Sequence, residues 1–234
     1  MKTNKRNLQG FTLIELSIVI AIIAMIAGGI VAGQSLLQAA QIRSVSTDVI
    51  KYRNAVESFK QQFNALPGDL KNAYAFFGSD CGADADAPAG CNGDGNGSID
   101  GTTEGFRAWQ HLQLSGILSA SFSGEVGTGC TPDVNVPGAG VGVNAGYGFA
   151  RNSASTYIAT RPSYLTLLVI GADNSSLCTS PAVTIDEAYE IDLKADDGNP
   201  FTGSTVAIGA SCVSGNDFNF GQEGIVCAMG FTLN

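Results

Sequence analysis

The chain has 234 residues, 44% of them hydrophobic and 14% charged, well under the roughly 25% charge of an average globular protein. This composition excludes an intrinsically disordered protein and a coiled coil. With 12 Lys and Arg against 21 Asp and Glu, the formal net charge is −9. The broad positive field needed for non-specific nucleic-acid binding is missing, so direct nucleic-acid binding is disfavoured.

Lys2, Lys5 and Arg6 stand in an opening decapeptide that has no acid. Residues 16–42 then carry no charge, and a helix of that length exceeds a hydrocarbon core of about 30 Å. The basic flank predicts a cytoplasmic N-terminus with everything after about Arg43 on the far side of the membrane. A cleaved secretory signal fits less well, because its apolar region is shorter and ends in an A-x-A-type site, whereas no two alanines of this run fall two apart.

The residues Gly10-Phe11-Thr12-Leu13-Ile14-Glu15 place a glycine before an aromatic and one carboxylate inside an otherwise apolar helix. This resembles the N-terminal signature of type IV pilins and type II secretion pseudopilins. The resemblance implies a leader at 1–10, cleavage by a prepilin peptidase between Gly10 and Phe11, and methylation of the new Phe11 amine. It also implies an assembly role for Glu15, neutralising the amine of a neighbouring subunit. An acid in a membrane-spanning helix is costly without a partner, which supports such a role, and the competing reading is a Glu that only stabilises its own helix N-terminus.

After residue 42 the pattern becomes one-sided, with Val45, Val49, Tyr52, Val56, Phe59 and Phe63 spaced four and three apart. That spacing predicts an amphipathic spine, and Leu66-Pro67-Gly68 ends it. The expected organisation is therefore a long helix over 11–65, with 11–42 for the membrane and then the filament core and 43–65 as spine, followed by an exported globular domain over 66–234. Gly28, Gly29 and Gly33 are the weak points of the helix, where local melting during assembly is expected.

Six cysteines, all beyond the apolar run and none spaced CxxC, fit disulfides better than zinc or redox chemistry. Cys81 and Cys91 bracket a Gly/Ala/Asp/Pro stretch without periodicity and are expected to bridge. Cys212 with Cys227, and Cys130 with Cys178, is one choice among 15 possible pairings of six cysteines.

Asn92-Gly93-Asp94-Gly95-Asn96-Gly97-Ser98-Ile99-Asp100 is similar to the start of an EF-hand calcium loop, with alternating oxygen side chains and a glycine at the sixth position. The twelfth position holds Thr103, and Glu104 follows one residue late. Ca2+ held by Asn92, Asp94, Asn96, Asp100 and Glu104 stands beside the plainer reading of a Gly/Asn/Asp turn.

Residues 104–118 read as a helix containing Trp109 and His111, with Trp109 in the core and His111 at the surface or hydrogen-bonded rather than catalytic. Short apolar runs at 147–150, 156–159 and 165–170 read as strands of an antiparallel sheet. The glycine-rich run 138–142 lacks the following helix and the Lys-Ser/Thr of a nucleotide loop, so no nucleotide partner is expected. Thr184-Ile185-Asp186-Glu187 is a capping box opening a helix that ends by Ala195. Asp192, Asp196 and Asp197 crowd its C-terminus, as a structural turn or as a second cation site. Two more strands are expected between 206 and 233.

The fold class is therefore α+β, a long N-terminal helix packed on an antiparallel sheet domain with disulfides. No reaction is expected of the chain. The resemblance implies a polymer of pilin-like subunits, made with a prepilin peptidase and an inner-membrane assembly platform, lipid-embedded before assembly and periplasmic or on the cell surface afterwards. A membrane-anchored, calcium-stabilised, adhesin-like binding module is the alternative.

Overall fold

The computed structural model describes residues 11–81, 90–125, 127, 129–151 and 166–233. They fall into two units, one ending at Ala40 and one beginning at Gln41. Helix α1, Leu13–Phe63, contributes to both. The leader, Gly10 and the run 156–159 lie outside the described residues.

In the first unit every residue from Phe11 onward is exposed, including Leu13 at 88% and Met25 at 81%. A helix that is apolar on all sides and covered on none needs lipid or other helices around it. It is the one described helix long and apolar enough to cross a membrane. The helix is unbroken at Gly28, Gly29 and Gly33, where an added Cβ would meet nothing within 4 Å. No packing within this unit demands glycine there.

In the second unit the predicted stripe is buried: Val45, Val49, Tyr52, Val56 and Phe59, joined by Ile42 and Ala55, face the core, and Phe63 packs at its edge. Tyr52 meets Trp109 and Tyr147 edge-on at 4.9 and 5.0 Å between ring centres. The helix stops where Asn64 takes a positive φ of 52° and returns its N–H to the Lys60 carbonyl, a left-handed ending that asparagine tolerates.

Two short pieces follow, α2 (Ala73–Phe77) and a 3-10 turn (Gly78–Cys81), before α3 (Glu104–Leu114). Helix α3 ends before the predicted 118 because Gly116, at φ +76°, turns the chain so that Ile117 and Leu118 both donate to the Leu112 carbonyl. Trp109 is fully buried on its core face.

The main sheet is antiparallel. Strand β1 (Gly146–Arg151) pairs with β2 (Thr166–Gly171), and β2 pairs with β7 (Ile225–Thr232). Strands β3 (Val183–Thr184) and β4 (Thr205–Ile208) also pair with β7. Leu168 and Ile170 join the core under α1 and α3, whereas Leu167 and Val169 join Ala150, Val206, Ile208 and Ala228 in a smaller second cluster. That is the two-residue alternation of a strand buried on both sides. Helix α4 (Ile185–Ala195) lies between β3 and β4, and β5 (Val213–Ser214) with β6 (Asp217–Phe218) forms a small hairpin.

Three disulfides staple this unit: Cys81–Cys91, Cys130–Cys178 and Cys212–Cys227, closing separations of 10, 48 and 15 residues. The first closes a short loop-rich stretch, and the second spans the β1–β2 pair and ties the loop before β1 to the one after β2.

Candidate functional site

Thr12 and Glu15 form a capping box at the start of α1. The Thr12 N–H and Oγ1 each donate to Glu15 Oε2 at 2.8 Å, and the Glu15 N–H donates to Thr12 Oγ1 at 3.3 Å. The carboxylate therefore begins as a partner of its own helix N-terminus. Phe11, just before it, is 91% exposed. The only carboxylate of the apolar half of α1 thus stands beside the residue whose amine would be released by cleavage at 10.

The loop after Cys91 is the second candidate. Asp69, which follows α1 and the Pro67-Gly68 turn, reaches into it and accepts from the Asn96 N–H through Oδ1 and the Gly97 N–H through Oδ2, both at 2.9 Å. Glu104, the first residue of α3, accepts from the Asp94 N–H through Oε1 at 3.0 Å and the Asp100 N–H through Oε2 at 2.9 Å. Both carboxyls are pushed up by burial, against the pull of these backbone donors. Oxygens of Asp69, Asp94 and Glu104 lie within 4.8 Å of one another.

This acidic group overlaps only in part with the residues read from spacing. Of the five residues named, the structure brings together Asp94 and Glu104, and Asp69 completes the group from outside the loop. Asn92 Oδ1 accepts the Tyr74 N–H, Asn96 Oδ1 caps Ser98, and Asp100 pairs with Arg151 at 3.2 Å. The reason is Glu104: arriving one residue late and leading a helix, it closes the loop through the backbone of Asp94 and Asp100, which turns the Asp100 side chain out. No local spacing could reveal Asp69. The three carboxylates suit a hard cation, since each oxygen that accepts one N–H keeps a further lone pair.

His111 sits beside this loop, fully buried. Its Nδ1 accepts the Gly68 N–H at 2.9 Å and its Nε2 donates to the Cys91 carbonyl at 3.0 Å. Burial lowers its pKa to about 4. With both nitrogens engaged and no access to solvent, it ties α3 to two turns and cannot serve as a general base for an external substrate.

Residues 5–31 match the family described as the prokaryotic N-terminal methylation motif. The chain carries a prepilin-type N-terminus. The match covers Gly10, Phe11 and Glu15 and the first half of the apolar helix, and it marks a precursor of the kind that a prepilin peptidase processes. It is consistent with anchoring in the inner membrane through α1. No curated protein and no solved structure matches the chain.

Proposed function

We propose that the chain is a structural subunit of a type IV pilus or type II secretion-like filament. A prepilin peptidase cuts between Gly10 and Phe11, the Phe11 amine is methylated, and the subunit polymerises with pilin-like partners on an inner-membrane assembly platform. The observation that carries this reading is Glu15: a single carboxylate beside Phe11, at the head of a helix half that is apolar and exposed on every side. In a bundle of such helices, the new cation on Phe11 gives the Glu15 carboxylate a partner that lipid cannot. Catalysis forms no part of this reading.

We further propose that Ca2+ at Asp69, Asp94 and Glu104 fixes the 92–104 loop, with the metal supplying only charge and coordination. A calcium-stabilised, adhesin-like module tethered by α1 would share that site but would need neither Gly10 nor Glu15. Intact mass and N-terminal sequencing of protein from sheared filaments and membranes decides between them. A start at methylated Phe11 in the sheared fraction supports the filament subunit, and an unprocessed Met1 terminus sinks it.

A further inference from the structure

Helix α4 ends in an electrostatic conflict. Asp192, Asp196 and Asp197 place oxygens within 4.8 Å of one another at the end of a helix whose carbonyls already carry partial negative charge. Two of the three carboxylates hold the loop that follows. Asp196 Oδ2 accepts from the N–H groups of Ser204 and of Thr205, the latter at 3.1 Å. Asp197 accepts from the Asn199 N–H at 2.9 Å and from the Thr202 hydroxyl.

Asp192 differs from both. Its relative exposure is 0%, and neither of its carboxylate oxygens has a hydrogen-bond partner. No Lys or Arg among the described residues forms an ion pair with it. Lys194 pairs with Glu190 across the exposed side of α4 at 3.1 Å. Arg53 donates its Nε to the Thr232 carbonyl at 2.8 Å and senses Asp196, yet it forms no ion pair with any of the three carboxylates. A buried carboxylate with two bare oxygens, facing two more carboxylates, is stable only with a proton or a cation between them.

The loop favours the cation. It folds closely around the Asp196 carboxylate, with Gly203 at φ +65° so near that a Cβ there would collide with it. Oxygen is the only donor type in the group, and three carboxylates match a hard ion that takes oxygen ligands. The three carboxylates come from the end of α4 and the start of the loop that follows it, far in sequence from the loop after Cys91.

We propose that Asp192, Asp196 and Asp197 form a calcium site that locks the C-terminus of α4 to the start of β4. This site is independent of the filament reading and of the Asp69 cluster. It makes the joint between helix and sheet conditional on the millimolar calcium typical outside cells.

The test uses the full-length chain in detergent micelles, with calcium alone counted by equilibrium dialysis. A double variant, Asp94→Asn with Glu104→Gln, removes the other acidic group and is expected to keep one calcium per chain. Adding Asp192→Asn to it is expected to abolish that equivalent, along with the calcium-induced rise in melting temperature. The Tyr189 ring lies 3.4 Å from where a Gly198 Cβ would stand, so terbium in this site should emit when tyrosine is excited. Tyr189→Phe should then lose the emission and keep the calcium. Retention of the equivalent after Asp192→Asn overturns the proposal. So does a double variant that binds no calcium, a result that stands even if Asp192→Asn fails to fold.

Discussion

The same four-residue device opens two helices of this chain in different surroundings. At α1 the Thr12 N–H meets Glu15 Oε2 at 2.8 Å, and at α4 the Thr184 N–H meets Glu187 Oε2 at 2.8 Å. The return bond from the Glu N–H to the Thr hydroxyl is 3.3 Å in both. At α4 the box sits where β3 runs into the helix, and buried Ile185, Ala188 and Ile191 surround it. At α1 no residue up to 41 is buried. Identical local chemistry therefore finishes a fold in one place, while in the other it leaves a charge at the head of an uncovered apolar surface. The difference locates function in what surrounds the box.

The strongest test separates the charge of Glu15 from its cap. Glutamine can close a capping box but cannot neutralise an amine. Glu15→Gln should leave cleavage at Gly10 intact and reduce subunit in the sheared filament fraction by about ten-fold or more, the equivalent of at least ~1.4 kcal/mol. Immunoblots of sheared and membrane fractions read both. Normal filaments from Glu15→Gln, together with loss in Glu15→Ala, would reduce Glu15 to a cap.

A third helix sharpens the contrast because it uses no box. Thr103 makes no side-chain cap at α3, and the helix is held by long-range contacts from Glu104 at its start and His111 near its end. His111 has a folded pKa of about 4 against an ordinary value of 6.5. The unfolded chain thus binds the extra proton first as pH falls. Its contribution to stability is complete above pH 6.5 and is lost as pH drops toward 4, by up to about 3 kcal/mol. The raised carboxyls of Asp69 and Glu104 act in the opposite sense, so the reading comes from the difference between wild type and His111→Gln. Denaturant unfolding of both at pH 7 and pH 4.5 should show wild type losing more stability than the variant. Parallel losses would remove His111 as the fastening of α3.

Smaller effects follow at the boxes themselves. Thr184→Ala should cost about 1 kcal/mol, a fall of about 3 °C in melting temperature for a chain of this size. Thr12→Ala should leave the unfolding of residues 41–233 unchanged, because its box lies in the uncovered unit. Thermal scans of the two variants side by side make the check, and a matching loss from Thr12→Ala would contradict the division into two units.

How much of this was legible in the sequence depends on the range of each signal. The apolar run and the Val45 to Phe59 stripe could be read because composition and helical period are local, and so could the Thr184 box, whose parts are three residues apart. Thr12 and Glu15 have the same spacing, so a role of Glu15 at its own helix N-terminus was legible beside the assembly role that the preceding glycine and phenylalanine signal. The acidic loop was half legible: Asp94 and Glu104 lie within it, whereas Asp69 arrives through tertiary folding. Asp192 carried a signal of its own, since it falls four residues after Ala188 and one after Ile191, on the buried face of α4. A carboxylate in phase with an apolar face marks a polar group the core must accommodate.

The finest distinction comes from Glu187→Gln, which keeps the α4 box and removes its charge. The Glu187 side chain accepts two hydrogen bonds, from the Thr184 N–H and hydroxyl, that glutamine reproduces, so the cost should be only a few tenths of a kcal/mol, from the lost interaction with the helix dipole. Denaturant titration of Glu187→Gln against Glu187→Ala resolves it. If glutamine costs as much as alanine, the charge rather than the bond geometry holds the helix end. Glu15→Gln would then disturb its cap as well as its charge, and the two boxes could no longer serve as controls for each other. If glutamine is nearly neutral at α4, any loss of filaments at position 15 belongs to the charge itself.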